Sequence, residues 1–244
     1  MDIREFLSRA QNIEFVTSGL RNVAFKSWHS IAPGEFAQNF RKVREFTMAS
    51  NACLRALHDG VSQVIGAGVA GDIVECGTAR GGSAALLGLA MQARDADRRL
   101  WIFDSFEGMP EPSRNDPDEE LARKYVGTCK GSIEDVSALL DRLGLLPRTT
   151  LVKGLFQATV PTAPVARVAL LHLDGDWYDS VLVCLQALYD KVSPGGIVQI
   201  DDYGFWQGAR KAVHDFFAQR GQPVPALRHI DYGGRQFTKP NSAS

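Results

Sequence analysis

From Gly71 onward, short runs of aliphatic and β-branched residues alternate with helical stretches, and this alternation constrains the fold more than any other feature. The runs are Asp72–Cys76, Leu100–Phe103, Thr150–Lys153, Val168–Leu173 and Ile197–Ile200. Helical patterns occupy Ser83–Ala93, Ile133–Leu143, Ser180–Tyr189 and Gly208–Gln219. Strands separated by helices pair in parallel, so the expected class is α/β, a doubly wound, mostly parallel, Rossmann-like sheet. Near the end, His229–Ile230 and Arg235–Thr238 flank Tyr232-Gly233-Gly234, which predicts a closing antiparallel hairpin. Residues 1–60 read as a helical N-terminal cap, with one amphipathic helix over Arg41–His58, and residues 61–244 as the sheet domain.

A chain of 244 residues, 45% hydrophobic, can bury one sizeable core. Its 27 basic and 28 acidic residues leave a formal net charge of −1, which argues against nucleic acid as a partner. Cys53, Cys76, Cys129 and Cys184 stand singly, with no CxxC pair to suggest zinc, and read as reduced thiols. The opening residues alternate charges where a secretory signal needs an apolar stretch, and no apolar run approaches the roughly 20 residues of a spanning helix. The expectation is a cytoplasmic protein without membrane partners.

In open parallel sheets ligands gather at the carboxyl ends of the strands, which makes the strand ends a list of candidate site residues. The first run ends Glu75-Cys76-Gly77-Thr78-Ala79-Arg80-Gly81-Gly82-Ser83, an acid followed by a glycine turn into a helix. Glycines permit close backbone approach, and a helix start offers N–H groups to an anionic moiety. The glycine spacing is not the GxGxxG of dinucleotide enzymes, and a carboxylate at Glu75 would repel a pyrophosphate. The same charge suits the cationic S-adenosylmethionine. Asp104, ending the second run, can accept two hydrogen bonds from a ribose diol. Structural roles compete at both sites, since Glu75 could cap its turn and Asp104 could be an N-cap. The polar segment Ser105–Lys130 follows directly and is long for a connection, as lids are.

Two neighbouring strands end in pairs of acids, Asp174-Gly175-Asp176 and Asp201-Asp202. Adjacent strands lie about 4.8 Å apart, so four carboxylates converge and would repel one another strongly. An oxygen-binding divalent cation such as Mg²⁺ resolves that repulsion, and it can acidify an alcohol while a neighbouring carboxylate removes the proton. The competing reading makes the four acids solvated turn residues, a role that Asp179 fits best as an N-cap.

These motifs, ECGTARGGSA, FDSFEGMPEP, LLHLDGDWYDS and SPGGIVQIDDYG, resemble the macrocin O-methyltransferase family over residues 40–238. The resemblance implies the methyltransferase form of the sheet, methyl transfer from S-adenosylmethionine to a sugar or glycoside hydroxyl, dependence on Mg²⁺, and a possible homo-oligomer. It assigns the metal to Asp174, Asp201 and Asp202 and the proton-accepting role to Asp176, with the choice between Asp174 and Asp176 for ligand and base left open; the cofactor falls to Glu75, Gly77, Thr78, Ser83, Asp104 and Ser105 at the first two strand ends. Phe46-Thr47-Met48 stands where members commonly have Tyr-Thr-Met. A phenolic acceptor, and a binding module without chemistry, are the alternatives; a lysine soon after Asp176 would favour the phenol, and none is there.

Other residues leave their roles open. Gly154 and Phe156 resemble the family's Gly-x-Phe and face adenine or serve as a turn and core aromatic. Trp177 and Tyr178 either wall the acceptor pocket or pack. Arg80 meets the methionine carboxylate or an acidic side chain. His172 reads as a buried core histidine, His29 and His214 as surface residues.

Overall fold

A computed structural model of the chain describes residues 34–94 and 97–240. The signal-peptide reading, His29 and most of the expected cap lie outside those residues. The elements in order are helices α1 (Glu35–Val43) and α2 (Asn51–Gly66), strand β1 (Asp72–Cys76), α3 (Gly82–Gln92) and β2 (Leu100–Asp104). There follow α4 (Glu119–Ala122), α5 (Ile133–Arg142), β3 (Thr149–Lys153), α6 (Phe156–Thr159), β4 (Val168–Leu173) and α7 (Tyr178–Leu188). Strand β5 (Val192–Ile200), α8 (Gln207–Gln219), β6 (Arg228–His229) and β7 (Arg235–Thr238) complete the chain.

The strands form one sheet in the order β3-β2-β1-β4-β5-β7-β6. Strands β1 to β5 pair in parallel, while β7 runs antiparallel to both β5 and β6. The expected doubly wound sheet with a closing hairpin is therefore present, and β1 and β4, the two strands that carry the glycine turn and the first acid pair, are neighbours.

Alternation along each strand sends successive side chains to opposite faces and builds two cores. Ile73, Leu170 and Ile197 pack on one face beneath α1, α2, α3 and α5, sharing a cluster with Leu54, Leu57 and Val61 of α2. Val74, Leu171 and Val198 pack on the other, beneath Val181 and Leu185 of α7 and Val213 and Phe217 of α8. Helix α2 runs through residue 60 without interruption, so the cap-to-sheet division read at that residue falls within a helix.

The single helix expected over Arg41–His58 is two helices. Helix α1 ends at Val43, and Ser50 caps α2 by accepting from the Cys53 N–H at 3.0 Å. Between them the Phe46 carbonyl accepts from the Gly82 N–H at 3.0 Å, a contact with the β1–α3 turn that periodicity within the segment cannot reveal. The interruption leaves Met48 64% exposed. Strand β5 also begins earlier than Ile197, because Gly195 donates to the Lys239 carbonyl and Lys239 to the Gly196 carbonyl, extending the pairing through Pro194-Gly195-Gly196.

Candidate active site

At the carboxyl ends of β1, β2, β4 and β5 a cleft opens, lined by Gly77, Thr78, Asp104, Ser105, Asp174, Asp176, Asp201 and Asp202. Met48 and Ala49 reach it from the interruption between α1 and α2, and Leu155 and Phe156 from α6. Among the described residues Met48 and Leu155 are exposed large hydrophobics, and both face this cleft. The lining holds five aspartates and, among the described residues, no lysine or arginine.

The turn after β1 is shaped by the protein as much as by any ligand. Gly77 has φ of +92°, and a Cβ there would lie 1.8 Å from the Asp174 carbonyl oxygen. The close approach that this glycine permits is thus to the end of β4, where the Asp174 N–H also donates to the Cys76 carbonyl at 2.8 Å. Asp104 accepts from the N–H groups of Thr78 at 2.7 Å, Ala79 at 3.1 Å and Phe106 at 2.7 Å, pinning the turn to the end of β2. Burial still pushes its carboxyl above the ordinary range, against those three donors. Ser105 donates to the Gly108 carbonyl at 2.9 Å. The Thr78 hydroxyl is buried at the cleft with no hydrogen-bond partner among the described residues.

Glu75 and Ser83 are not part of the cleft wall. Glu75 is fully buried in the sheet and shares its Oε1 with His172 Nδ1 at 2.9 Å. His172, read from sequence as a core histidine, faces Asp201 with its other nitrogen, Nε2 to Oδ1 at 3.7 Å. Burial would lower the imidazole pKa, but Asp201 and Glu75 on its two sides raise it to about 10, so the ring is a cation between two carboxylates. Asp201 in turn is held below the usual range by that ring, although burial opposes it. The polar row continues across the sheet, with Gln199 beside His172 and Gln236 beside Gln199 in register.

The other three acids lack such a partner. Burial and the charges of Asp201, Asp176 and Glu75 push Asp174 well above the carboxylate range; burial, Asp176 and Asp174 do the same to Asp202. Asp176 rises to about 7 through burial, opposed by a hydrogen bond from the Trp206 indole, Nε1 to Oδ1 at 3.0 Å. It also adopts φ of +56°, a strained conformation for a residue with a side chain. Its backbone N–H donates to Asp202 Oδ2 at 3.2 Å. Among the described residues no three His, Cys, Asp or Glu side chains are already drawn together in a ligating arrangement. The donor set itself, carboxylate oxygens that repel one another in a cleft without a lining cation, fits a hard divalent ion.

The segment after β2, expected as a polar lid, is fastened down. Asp116 is 3% exposed and accepts from the Tyr178 N–H at 2.7 Å at the start of α7. Asp118 accepts from the Gln207 N–H at 3.2 Å at the start of α8. Trp177 donates to the Pro110 carbonyl at 2.8 Å and is 2% exposed, so it packs and does not wall the cleft. Arg80 and Arg142 lie over the Phe46 ring, at 5.7 and 5.4 Å from its centroid. His214 meets the Tyr203 hydroxyl at 2.8 Å.

The sheet order, the glycine turn after β1 and the acid-lined cleft are those of an S-adenosylmethionine-dependent O-methyltransferase. The family model described as Macrocin-O-methyltransferase (TylF) matches residues 35–239, and the chain belongs to that family. It is 39% identical over 193 residues to the 8-demethyl-8-(2,3-dimethoxy-alpha-L-rhamnosyl)-tetracenomycin-C 4'-O-methyltransferase of Streptomyces olivaceus, covering 77% of this chain and 73% of that protein. It is 34% identical over 182 residues to the Mycinamicin III 3''-O-methyltransferase of Micromonospora griseorubida, covering 72% and 71%. Among solved structures, that of the O-methyltransferase NovP aligns with a TM-score of 0.75 at 34% identity, over 80% of this chain and 83% of that one. No helix among the described residues is long and apolar enough to cross a membrane.

Proposed function

We propose that this enzyme transfers the methyl group of S-adenosylmethionine to a sugar hydroxyl of a glycosylated small molecule, and that it requires Mg²⁺ or a similar ion. The observation that carries the reading is the cleft: five aspartates and no lining lysine or arginine beside the glycine turn of β1. Two cationic ligands, a sulfonium and a divalent ion, would satisfy that charge. The matching tetracenomycin methyltransferase is named for a rhamnosyl-bearing acceptor, which supports a glycoside.

Gly77, Thr78, Asp104 and Ser105 would border the donor, with Glu75 and Ser83 supporting the turn from within. Thr78 brings an unpaired hydroxyl to the cleft and Asp104 brings a carboxylate. Asp174, Asp201 and Asp202 would hold the ion, moving together to do so. Mg²⁺ bound there supplies the positive charge that makes a nearby alcohol more acidic. Asp176, with Oδ1 held by the Trp206 indole and Oδ2 without a hydrogen bond among the described residues, accepts the hydroxyl proton as the oxygen attacks the methyl carbon in line. The sulfur then leaves as the neutral thioether.

The test is transfer of labelled methyl from S-adenosylmethionine to two panels, glycosides with free sugar hydroxyls and catechols, each with Mg²⁺ and with EDTA. Methylated glycoside formed only with the ion is the expected result. Preference for catechol overturns the acceptor class, and undiminished transfer in EDTA removes the ion.

A further inference from the structure

We propose that Trp206 is a positioning residue: its indole N–H aims the Asp176 carboxylate, and the segment following β2 holds the indole in place. The inference rests on Asp176 as the proton acceptor. It arises from the setting of Asp176, which has an uncommon left-handed backbone, φ of +56°, at the end of β4. Among the described residues its carboxylate has one side-chain donor, Trp206 Nε1 at 3.0 Å from Oδ1.

Trp206 is itself tightly placed. It is 2% exposed, and its backbone N–H donates to the Asp202 carbonyl at 2.9 Å, so it is anchored to the acid pair that ends β5. Its ring meets Trp177 edge-on, with centroids 4.8 Å apart, and Tyr125 edge-on at 5.3 Å. Tyr125 belongs to the segment between β2 and α5, and Trp177 is tied to the same segment through the Pro110 carbonyl. That segment also lends Met109, Pro110 and Cys129 to the cleft wall. A displacement of the wall by an acceptor is thereby passed through Tyr125 and Trp206 to the direction of Asp176. A carboxylate fixed by one oxygen keeps the other for the substrate, and a group misplaced by about an ångström can lose on the order of a hundredfold in rate.

The experiment uses four forms of the full chain, wild type, Trp206→Phe, Asp176→Asn and the double variant, with kcat, KM and the equilibrium dissociation constant for S-adenosylmethionine measured on each. Phenylalanine removes the donor and keeps a smaller aromatic ring in the packing, so the comparison between backgrounds separates the lost hydrogen bond from the lost volume. Trp206→Phe is expected to lower kcat on the order of tenfold to a hundredfold while the donor dissociation constant stays within about twofold. In the Asp176→Asn background the same change should cost less than about twofold, because the group it aims has already been altered. An equal loss in both backgrounds assigns Trp206 to packing and overturns the proposal. The contact is read separately from the indole N–H resonance of Trp206, identified by its disappearance in Trp206→Phe, which should move in Asp176→Asn; a resonance that stays in place also overturns it. Should Trp206→Phe fail to fold, Tyr125→Leu takes its place: lowered kcat with a displaced Trp206 resonance supports the coupling, and wild-type values for both refute it. Full turnover by Asp176→Asn, with the resonance displaced, instead refutes the proton-acceptor reading while leaving the contact intact.

Discussion

Replacing His172 by leucine should destabilise the metal-free protein severely, because among the described residues the imidazolium is the group paired with Glu75. Both side chains are fully buried, and Glu75 Oε2 already lacks a hydrogen-bond partner among the described residues. Leucine fills much of the space but leaves a carboxylate in an apolar row with no donor. Breaking a buried ion pair by deleting one member costs about 3–5 kcal/mol. At roughly 2–4 °C per kcal/mol for a domain of this size, the melting temperature should fall by roughly 6–20 °C. Thermal unfolding followed by circular dichroism in EDTA at pH 8 measures it. Two controls carry the reasoning further. The loss should shrink toward pH 5, since an orphaned buried carboxyl takes up a proton more readily folded than unfolded, and adding Glu75→Leu should recover much of it, because the unpaired charge is gone. A His172→Leu protein that melts within about 2 °C of wild type at pH 8 would refute a charged His172–Glu75 pair.

Other outcomes follow from the same geometry. Asp202→Asn should abolish methyl transfer while changing the donor dissociation constant by less than about threefold, that is by less than about 0.7 kcal/mol, in an isothermal titration; retained turnover would contradict its assignment. Gly77→Ala puts a methyl group 1.8 Å from the Asp174 carbonyl oxygen at a φ of +92°, and should give little soluble, folded protein on expression. The raised carboxyls of Asp174, Asp176 and Asp202 favour the folded state most below the unfolded value of about 3.9, and that contribution is lost as the pH rises through the folded value of about 7 for Asp176. Mg²⁺ should accordingly raise the melting temperature more at pH 8 than at pH 5.5 in a thermal shift assay. Equal shifts at the two values would contradict the repulsion.

Strands were readable wherever burial on both faces produced a continuous apolar run, as in Val168–Leu173 and Leu100–Asp104, each buried throughout. The acids at their ends were readable too, since a carboxylate after such a run has few structural reasons to be there. What sequence could not supply were contacts made across the chain. The break between α1 and α2 depends on Gly82, 36 positions beyond Phe46. His172 looks like a core residue until Glu75, 97 positions away, is set beside it by the pairing of β1 with β4. A histidine mid-strand with an acid at the matching position of another apolar run is the signal that could have found the pair. Trp206 follows the last acid pair by four residues, and nothing local distinguishes its indole from a core aromatic. The segment after β2 looked too polar to pack, yet Phe106, Met109, Asp116 and Ala122 are all buried, with Asp116 satisfied by two backbone N–H groups.

The role proposed for the acids at the ends of β4 and β5 is to gather around one divalent cation. Mn²⁺ titrated into metal-free protein and followed by electron paramagnetic resonance tests it without needing an acceptor. One bound ion per chain is expected, displaced by excess Mg²⁺ and absent in Asp202→Asn. A spectrum of free Mn²⁺ at millimolar protein, from an enzyme that still transfers methyl groups in EDTA, would contradict it.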